Sequence, residues 1–374
     1  MSASSNERGT AMPIRVGLVG IGNWAIHGHV RVLKLLPQYQ LRALWSTRPE
    51  AARAAADAHG IQQVMATLDE LVDHPEVDLV VVLNTAPQHA ETVRKVIAAG
   101  KHVYCEWPLT TTTETSRELA RLADAAGVRH IVGLQRRLAP HNRYLRDLLQ
   151  TGHVGRIRSV RIHVSMDSFG ATRSAALRWT VPVENFSSAV AIYAGHFLDM
   201  LFTATGWPQR VSALALNQMK AVTIRQTGEV LPSSAPDQLA MIGRMADGAV
   251  LSVHLEAGKR SGRGVRIDIT GDEGDLRVTN ASAFGGVGDD YRIEGARGDD
   301  QPMQPLEIPV SYDRLPASEL PSAVLELAEL YLAYAQDVRD GTREAPTFHD
   351  AVRLHELLDA VTTSTREGRE VSLR

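Results

Sequence analysis

Short apolar runs and helical stripes alternate over residues 14–134. The runs are Ile14–Val19, Leu41–Trp45, Leu79–Leu83, His102–Cys105 and His130–Gly133, with a weaker one at Gln63–Met65. Between them lie helical patterns at Ala25–Leu36, Pro49–His59, Leu68–Val72, Gln88–Ala99 and Thr115–Ala126. In the last, Leu119, Leu122, Ala123 and Ala126 follow i, i+3, i+4, i+7, which predicts one buried face. Thr115 and Glu118 have capping-box spacing at its start. Leu79-Val80-Val81-Val82-Leu83 is apolar on both faces, as a strand covered by helices on both sides requires. This alternation predicts βαβ units in a doubly wound parallel sheet spanning residues 13–134.

The pattern then changes. Asn142–Leu149 reads as a short helix ending at Gly152. From Ile157 the period is two, with Val160, Ile162 and Val164 on one face and Arg161 and His163 on the other. Further strands are predicted at Val211–Leu216, Gln238–Arg244, Val250–Leu255, Val265–Thr270 and Asp275–Thr279, separated by turns such as Asp247-Gly248 and Gly271-Asp272. Helices are predicted at Ser187–Thr205, Ser322–Arg339 and His349–Thr363. Residues 135–374 thus read as a C-terminal α+β domain with a large open, mostly antiparallel sheet, half exposed on one face. Gly285–Asp290 and Gly295–Pro305 read as mobile loops. Residues 1–12 lack the apolar stretch of a signal peptide and read as a disordered tail.

Composition adds limits. A chain of 374 residues suits two domains. A net charge of -3 points to no polyanionic partner, so no nucleic acid is expected. The short basic cluster Arg136, Arg137, His141 and Arg143 is expected to be solvated or to face a cofactor. The single cysteine, Cys105, allows no intramolecular disulfide and fits a reducing, cytoplasmic setting, where it reads as an inert buried thiol. No apolar run approaches the ~18 residues a membrane span needs.

The chemistry begins at Gly20-Ile21-Gly22-Asn23-Trp24-Ala25, which follows the first strand and opens a helix. That is the dinucleotide fingerprint of a Rossmann domain in its required context. Gly20 makes the tight turn, Gly22 lets the backbone approach a pyrophosphate, and Ala25 permits close helix–strand packing. The helix start, with Asn23 and Trp24, offers free N–H groups to phosphate. After the second strand come Ser46, Thr47 and Arg48, where an NAD-preferring site usually carries a carboxylate. Hydroxyls and a guanidinium suit a 2′-phosphate, so NADP(H) is expected over NAD(H). Asn84 and Thr85 close the fourth long strand, at the edge where such sheets bind ligands, and His89 follows at the next helix.

With Thr85-Ala86-Pro87-Gln88-His89, Ala99–Leu109, Val132–Arg137 and Gly195-His196-Phe197-Leu198-Asp199, the chain resembles the Gfo/Idh/MocA oxidoreductases, the glucose–fructose oxidoreductase and inositol dehydrogenase type. The resemblance covers nearly the whole length. It implies a Rossmann domain, a nicotinamide cofactor held partly by Glu106, Trp107, Pro108 and Gln135, a small-molecule substrate, and a homodimer or homotetramer formed through the C-terminal sheet. Two departures matter. The family's Glu-Lys-Pro is Glu106-Trp107-Pro108 here, and its Asp four residues before the His is Ile192. Ala191–His196 is similar to the branch containing the fungal repressor of galactose genes.

Hydride delivery to a carbonyl leaves an alkoxide that needs a proton. Lysine can supply one; an indole N–H does not titrate near neutrality. Trp107 would instead wall the nicotinamide, or fill the vacated pocket. His196 is then the acid/base candidate, with Asp199 to orient it and Tyr193, three residues earlier, as a donor. The histidines and lone cysteine have no metal-ligand spacing, so no metal is expected. Two functions stay open: an NADP(H)-dependent oxidoreductase acting on C=O or on conjugated C=C or C=N, and a non-enzymatic NADP sensor controlling a partner protein.

Overall fold

The computed structural model describes residues 12–283 and 291–373. The expected tail, Met12 apart, and the expected loop Gly285–Asp290 lie outside the described residues.

The N-terminal strands are β1 (Ile14–Val19), β2 (Tyr39–Trp45), β3 (Gln63–Val64), β4 (Leu79–Val82), β5 (His102–Cys105) and β6 (His130–Val132). They form a parallel sheet in the order β3-β2-β1-β4-β5-β6, the doubly wound nucleotide-binding order. A π-wound turn, Ala25–Val30, runs into α1 (Arg31–Leu35); α2 (Pro49–His59), α3 (Leu68–Val72), α4 (Ala86–Ala98) and α5 (Thr113–Ala126) follow the later strands. Every residue of β4 is buried, as its unbroken apolar run requires.

The start of α5 differs from expectation. Thr112, not Thr115, is the cap: it is extended and its side chain accepts the N–H of Thr115. Glu118 instead pairs with Arg94 on α4. The buried face is Thr113, Ser116, Leu119, Ala120 and Ala123, while Leu122 is exposed, because the packed stripe runs at i, i+3, i+4 and i+7 from Ser116 and leaves position 122 outside it.

In the C-terminal half, α6 (Pro140–Gln150) precedes β7 (Ile157–Ser165), β8 (Thr172–Arg173), α7 (Gly195–Thr205) and β9 (Pro208–Leu216). Next come β10 (Ala221–Ile224), β11 (Val230–Pro232), β12 (Gln238–Met245), β13 (Val250–Glu256), β14 (Gly264–Gly271) and β15 (Gly274–Asn280). The chain ends with β16 (Arg292–Arg297), β17 (Gln304–Pro305), α8 (Ser322–Asp340), α9 (Phe348–Glu367) and β18 (Val371–Ser372). Nine strands form one sheet in the order β17-β16-β15-β14-β7-β13-β12-β9-β18, antiparallel except for β7 beside β13. A small sheet, β11-β10-β8, flanks it.

Gly295–Pro305 is therefore not a loop, since it contributes to β16 and β17. Gly295 is buried in the ladder, and a Cβ there would lie 2.8 Å from both His153 and Leu306. Helices α8 and α9 return to the N-terminal sheet. Leu327, Leu330 and Tyr331 of α8 pack with Val16, Leu18, Leu79 and Val81. The inner face of α9 joins the core between the two sheets. Among the described residues, no helix is long and apolar enough to cross a membrane.

Candidate active site

Loops at the carboxyl ends of β1, β2, β4, β5 and β6 carry the expected cofactor residues to one edge, while Tyr193, His196 and Asp199 belong to α7 and the turn before it. Gly20 has φ +103°, and a Cβ there would sit 3.1 Å from the Leu83 backbone, so only glycine suits the turn. Gly22 has nothing within 4 Å of its missing Cβ, and Gly22 and Asn23 are exposed; this leaves the room a pyrophosphate needs. Ala25 is buried against the sheet. Trp24 folds back over Gly28, whose Cβ would meet the indole at 3.0 Å.

At the end of β2, the Arg48 N–H donates to Ser46 Oγ at 3.2 Å. The exposed Arg48 guanidinium reaches the Ile21 carbonyl at 3.5 Å, so it lies against the glycine loop. Thr47 is exposed beside it. Thr85 caps α4 in a capping box with Gln88. Asn84 Nδ2 donates to Thr92, and its Oδ1 is buried without a partner. Gln135 Oε1 and His196 Nδ1 are likewise buried and unpartnered, so three polar atoms near this edge are left for a ligand. Open room at Gly22, the Arg48 cation and the free oxygens of Asn84 and Gln135 fit a nicotinamide dinucleotide, and His196 Nδ1 is left for a substrate.

His89 has a different task from the one expected. Both its ring nitrogens face carbonyls, Pro108 O and Asn84 O, each at 2.9 Å. It ties the two loops together instead of facing a cofactor. Burial holds its pKa below the usual value.

Glu106 anchors a network that the sequence hid. Its Oε1 accepts from Tyr104 Oη at 2.7 Å and pairs with His29 Nε2 at 2.8 Å; His29 Nδ1 meets Tyr331 Oη at 2.7 Å. Burial pushes the Glu106 carboxyl up, but the His29 and Tyr104 hydrogen bonds and nearby histidine charge bring it net below the usual range. Gly133 leaves space for this network, since a Cβ would lie 2.7 Å from Tyr104 Oη.

Trp107 does not offer its N–H to the cleft. It is 4% exposed, and its Nε1 donates to Ala191 O at 3.0 Å. The indole also lies against His355, with ring centroids 4.9 Å apart, and on Gly195. It therefore pins the Pro108 loop to the helix that carries Tyr193 and His196. A Gly195→Ala change is expected to destabilise the protein by about 1–3 kcal/mol through overpacking, because the new methyl overlaps the indole. Urea unfolding of the two single variants and of the Gly195→Ala/Trp107→Ala double variant checks this; additive losses would rule out the lock.

His196 follows a π-wound turn, Val190–Ala194, and is buried beside Arg136 and Glu106. Burial, with Arg136, lowers its pKa to about 4. Tyr193 is pushed up to about 12 by burial and packs edge-on to Phe169 at 5.1 Å. Asp199 does not orient His196. Its carboxylate takes a bidentate grip from Arg137, which also holds Asp350 at 2.9 Å.

The basic cluster is not solvated. Arg136 pairs with Glu326 at 3.5 Å and Arg143 with Glu329 at 3.3 Å, while His141 stacks on Tyr291 at 3.8 Å. Cys105 is fully buried, which raises its thiol well above the usual range.

The comparisons agree with the fold. A family model described as an oxidoreductase family with an NAD-binding Rossmann fold matches residues 14–134, and one for the Gal80p C-terminal domain matches residues 140–280. The galactose/lactose metabolism regulatory protein GAL80 of Saccharomyces cerevisiae is 26% identical over 317 residues, covering 78% of this chain and 73% of that protein. The scyllo-inositol 2-dehydrogenase (NADP(+)) IolW of Bacillus subtilis is 24% identical over 370 residues, covering 96% of each. A structure of levoglucosan dehydrogenase with NADH and levoglucosan superposes with a TM-score of 0.86 at 21% identity, over 97% of this chain and 100% of that one.

Proposed function

Since the chain belongs to the Gfo/Idh/MocA oxidoreductase family, with a Gal80p-like C-terminal domain, we propose that it is an NADP(H)-dependent oxidoreductase acting on a small organic substrate. The observation that carries this reading is the open glycine loop flanked by Arg48, with His196 beside Glu106 of the loop after β5. The cofactor, when bound, supplies or accepts a hydride at its nicotinamide. The chain's own residues handle the rest. At neutral pH His196 is uncharged and is proposed to take the proton from an alcohol being oxidised. Tyr193 keeps its proton and is proposed to donate a hydrogen bond to the substrate oxygen. Trp107 closes the floor of the site against water. Without a lysine, C=O remains the family default, and a conjugated C=C or C=N asks less of the proton donor.

The Arg48→Ala variant is expected to bind NADPH about 10-fold more weakly while NADH affinity holds, because a charge-assisted phosphate contact is lost. Fluorescence titration reads both. Equal losses would remove Arg48 from cofactor selection.

Trp107, buried with its N–H spent, also favours a second reading: a non-enzymatic NADP sensor related to GAL80. A broad panel of acceptors showing no NADPH oxidation, with cofactor binding intact, would decide for the sensor.

A cytoplasmic homodimer or homotetramer is proposed on the outer face of the nine-stranded sheet, where Leu214, Ile242 and Val250 are 50%, 60% and 60% exposed. Light scattering on an Ile242→Glu variant is expected to show monomers. An unchanged mass would place the contact elsewhere.

A further inference from the structure

We infer that the substrate carries a carboxylate, received by Arg173 beside Tyr193; this rests on the hydride-transfer reading above. Arg173 ends β8, where its carbonyl accepts the N–H of Arg225 at 2.9 Å and its register partner on β10 is Ile224. The side chain turns inward, and the residue is 5% exposed. Nη1 donates to Thr180 O at 3.1 Å and to Thr180 Oγ1 at 2.9 Å, both neutral acceptors. Nε is buried with no acceptor. Among the described residues no carboxylate lies within ion-pairing distance of this guanidinium, whereas the buried Arg136, Arg137 and Arg143 each have one. Asp237 acts on it only at longer range; its Oδ2 is held by the N–H groups of Gln218 and Met219 at 3.0 and 2.8 Å, and its Oδ1 is buried without a hydrogen-bond partner.

A guanidinium removed from water without a counter-ion is costly, and burial does lower the Arg173 pKa, with Tyr193 and Asp237 opposing. The free edge is Nε with Nη2, which matches two carboxylate oxygens in a fork. The guanidinium has Tyr193 among its electrostatic neighbours. The guanidinium lies 4.8 Å over the Phe169 ring, and Phe169 meets Tyr193 edge-on at 5.1 Å. Phe169 itself is held at φ +57°, a strained conformation for a residue other than glycine. Tyr193 precedes His196 by about one helical turn. A carboxylate on Arg173 therefore directs the rest of a small hydroxy acid past Tyr193 toward His196.

The test is calorimetry on the NADP+-saturated protein with matched acid and neutral probes: D-gluconate against D-glucose, and D-galacturonate against D-galactose. At least one acid is expected to bind about 10-fold or more tightly than its neutral partner. Arg173→Met should erase that preference; its unfolding midpoint is expected to fall, because the hydrogen bonds to Thr180 are lost with the charge, and retained NADP+ binding shows that the variant is folded. Three results overturn the inference: no acid binds, neutral partners bind as well, or the acid preference persists in Arg173→Met. A separate NADP+ titration keeps the two claims apart. Loss of NADP+ binding sinks the hydride-transfer reading, whereas NADP+ retained without acid preference sinks the Arg173 assignment alone.

Discussion

Replacing His196 with asparagine is expected to lower kcat/KM by about 10²- to 10⁴-fold, the usual worth of a positioned acid or base, and to leave NADPH affinity unchanged. The variant is smaller than the ring but keeps a neutral polar group beside Arg136, and it cannot take up a proton near neutrality. The pH profile identifies the group. In the free protein His196 titrates at about 4, driven down by burial and then by Arg136. Alcohol oxidation, followed as NADPH formation, should therefore stay level from pH ~6 through neutrality, because His196 is already uncharged there. A profile still rising above pH ~7 would move the proton to a group with a higher pKa.

The second large effect is on stability in mild acid. His196, at about 4, is joined by His141 and His355, each held at about 3 by burial. Their unfolded values are near 6.5. All three folded values are depressed, so between pH ~6.5 and ~4 the unfolded chain binds more protons than the folded one. Their contribution is full above pH ~6.5 and falls as the pH drops through that window. Three such groups give a slope of about 4 kcal/mol per pH unit near pH 5. Asp199, Glu326 and Glu329, raised by burial, oppose part of this at the lower end. Urea unfolding at pH 7, 6 and 5 measures the slope. His355 lies between Phe186 and Trp107, and neither ring nitrogen has a partner. His355→Leu should therefore cut the slope by about 1 kcal/mol per pH unit without loss at pH 7. An unchanged slope would show that His355 is protonated in the folded protein.

The parallel sheet was legible because strand and helix periods leave local marks and its loops are short. The glycine loop was legible for the same reason, since turn, phosphate approach and packing all fall within six residues, Gly20 to Ala25. Partners distant in sequence left no such mark. His29 and Tyr331 meet across 302 residues, and Asp199 finds Arg137 at 62 residues' separation instead of turning to His196, its helical neighbour. Tyr104 was within reach: it precedes Glu106 by two positions, and strand alternation puts them on one side. The basic cluster misled because adjacent positive charges look like surface when their counter-ions, Glu326, Glu329 and Asp350, belong to helices that return much later. The indole of Trp107 suggested a wall for the cofactor, and only Gly195 and the Ala191 carbonyl reveal that it locks two segments of the core.

Titration of the purified protein with NADPH and NADH, followed by nicotinamide fluorescence, tests the central claim most directly. Saturable binding with one site per chain, tighter for NADPH, is the predicted result. Retention of neither dinucleotide would contradict the account, since enzyme and sensor both depend on that ligand lying across the carboxyl edge of the N-terminal sheet.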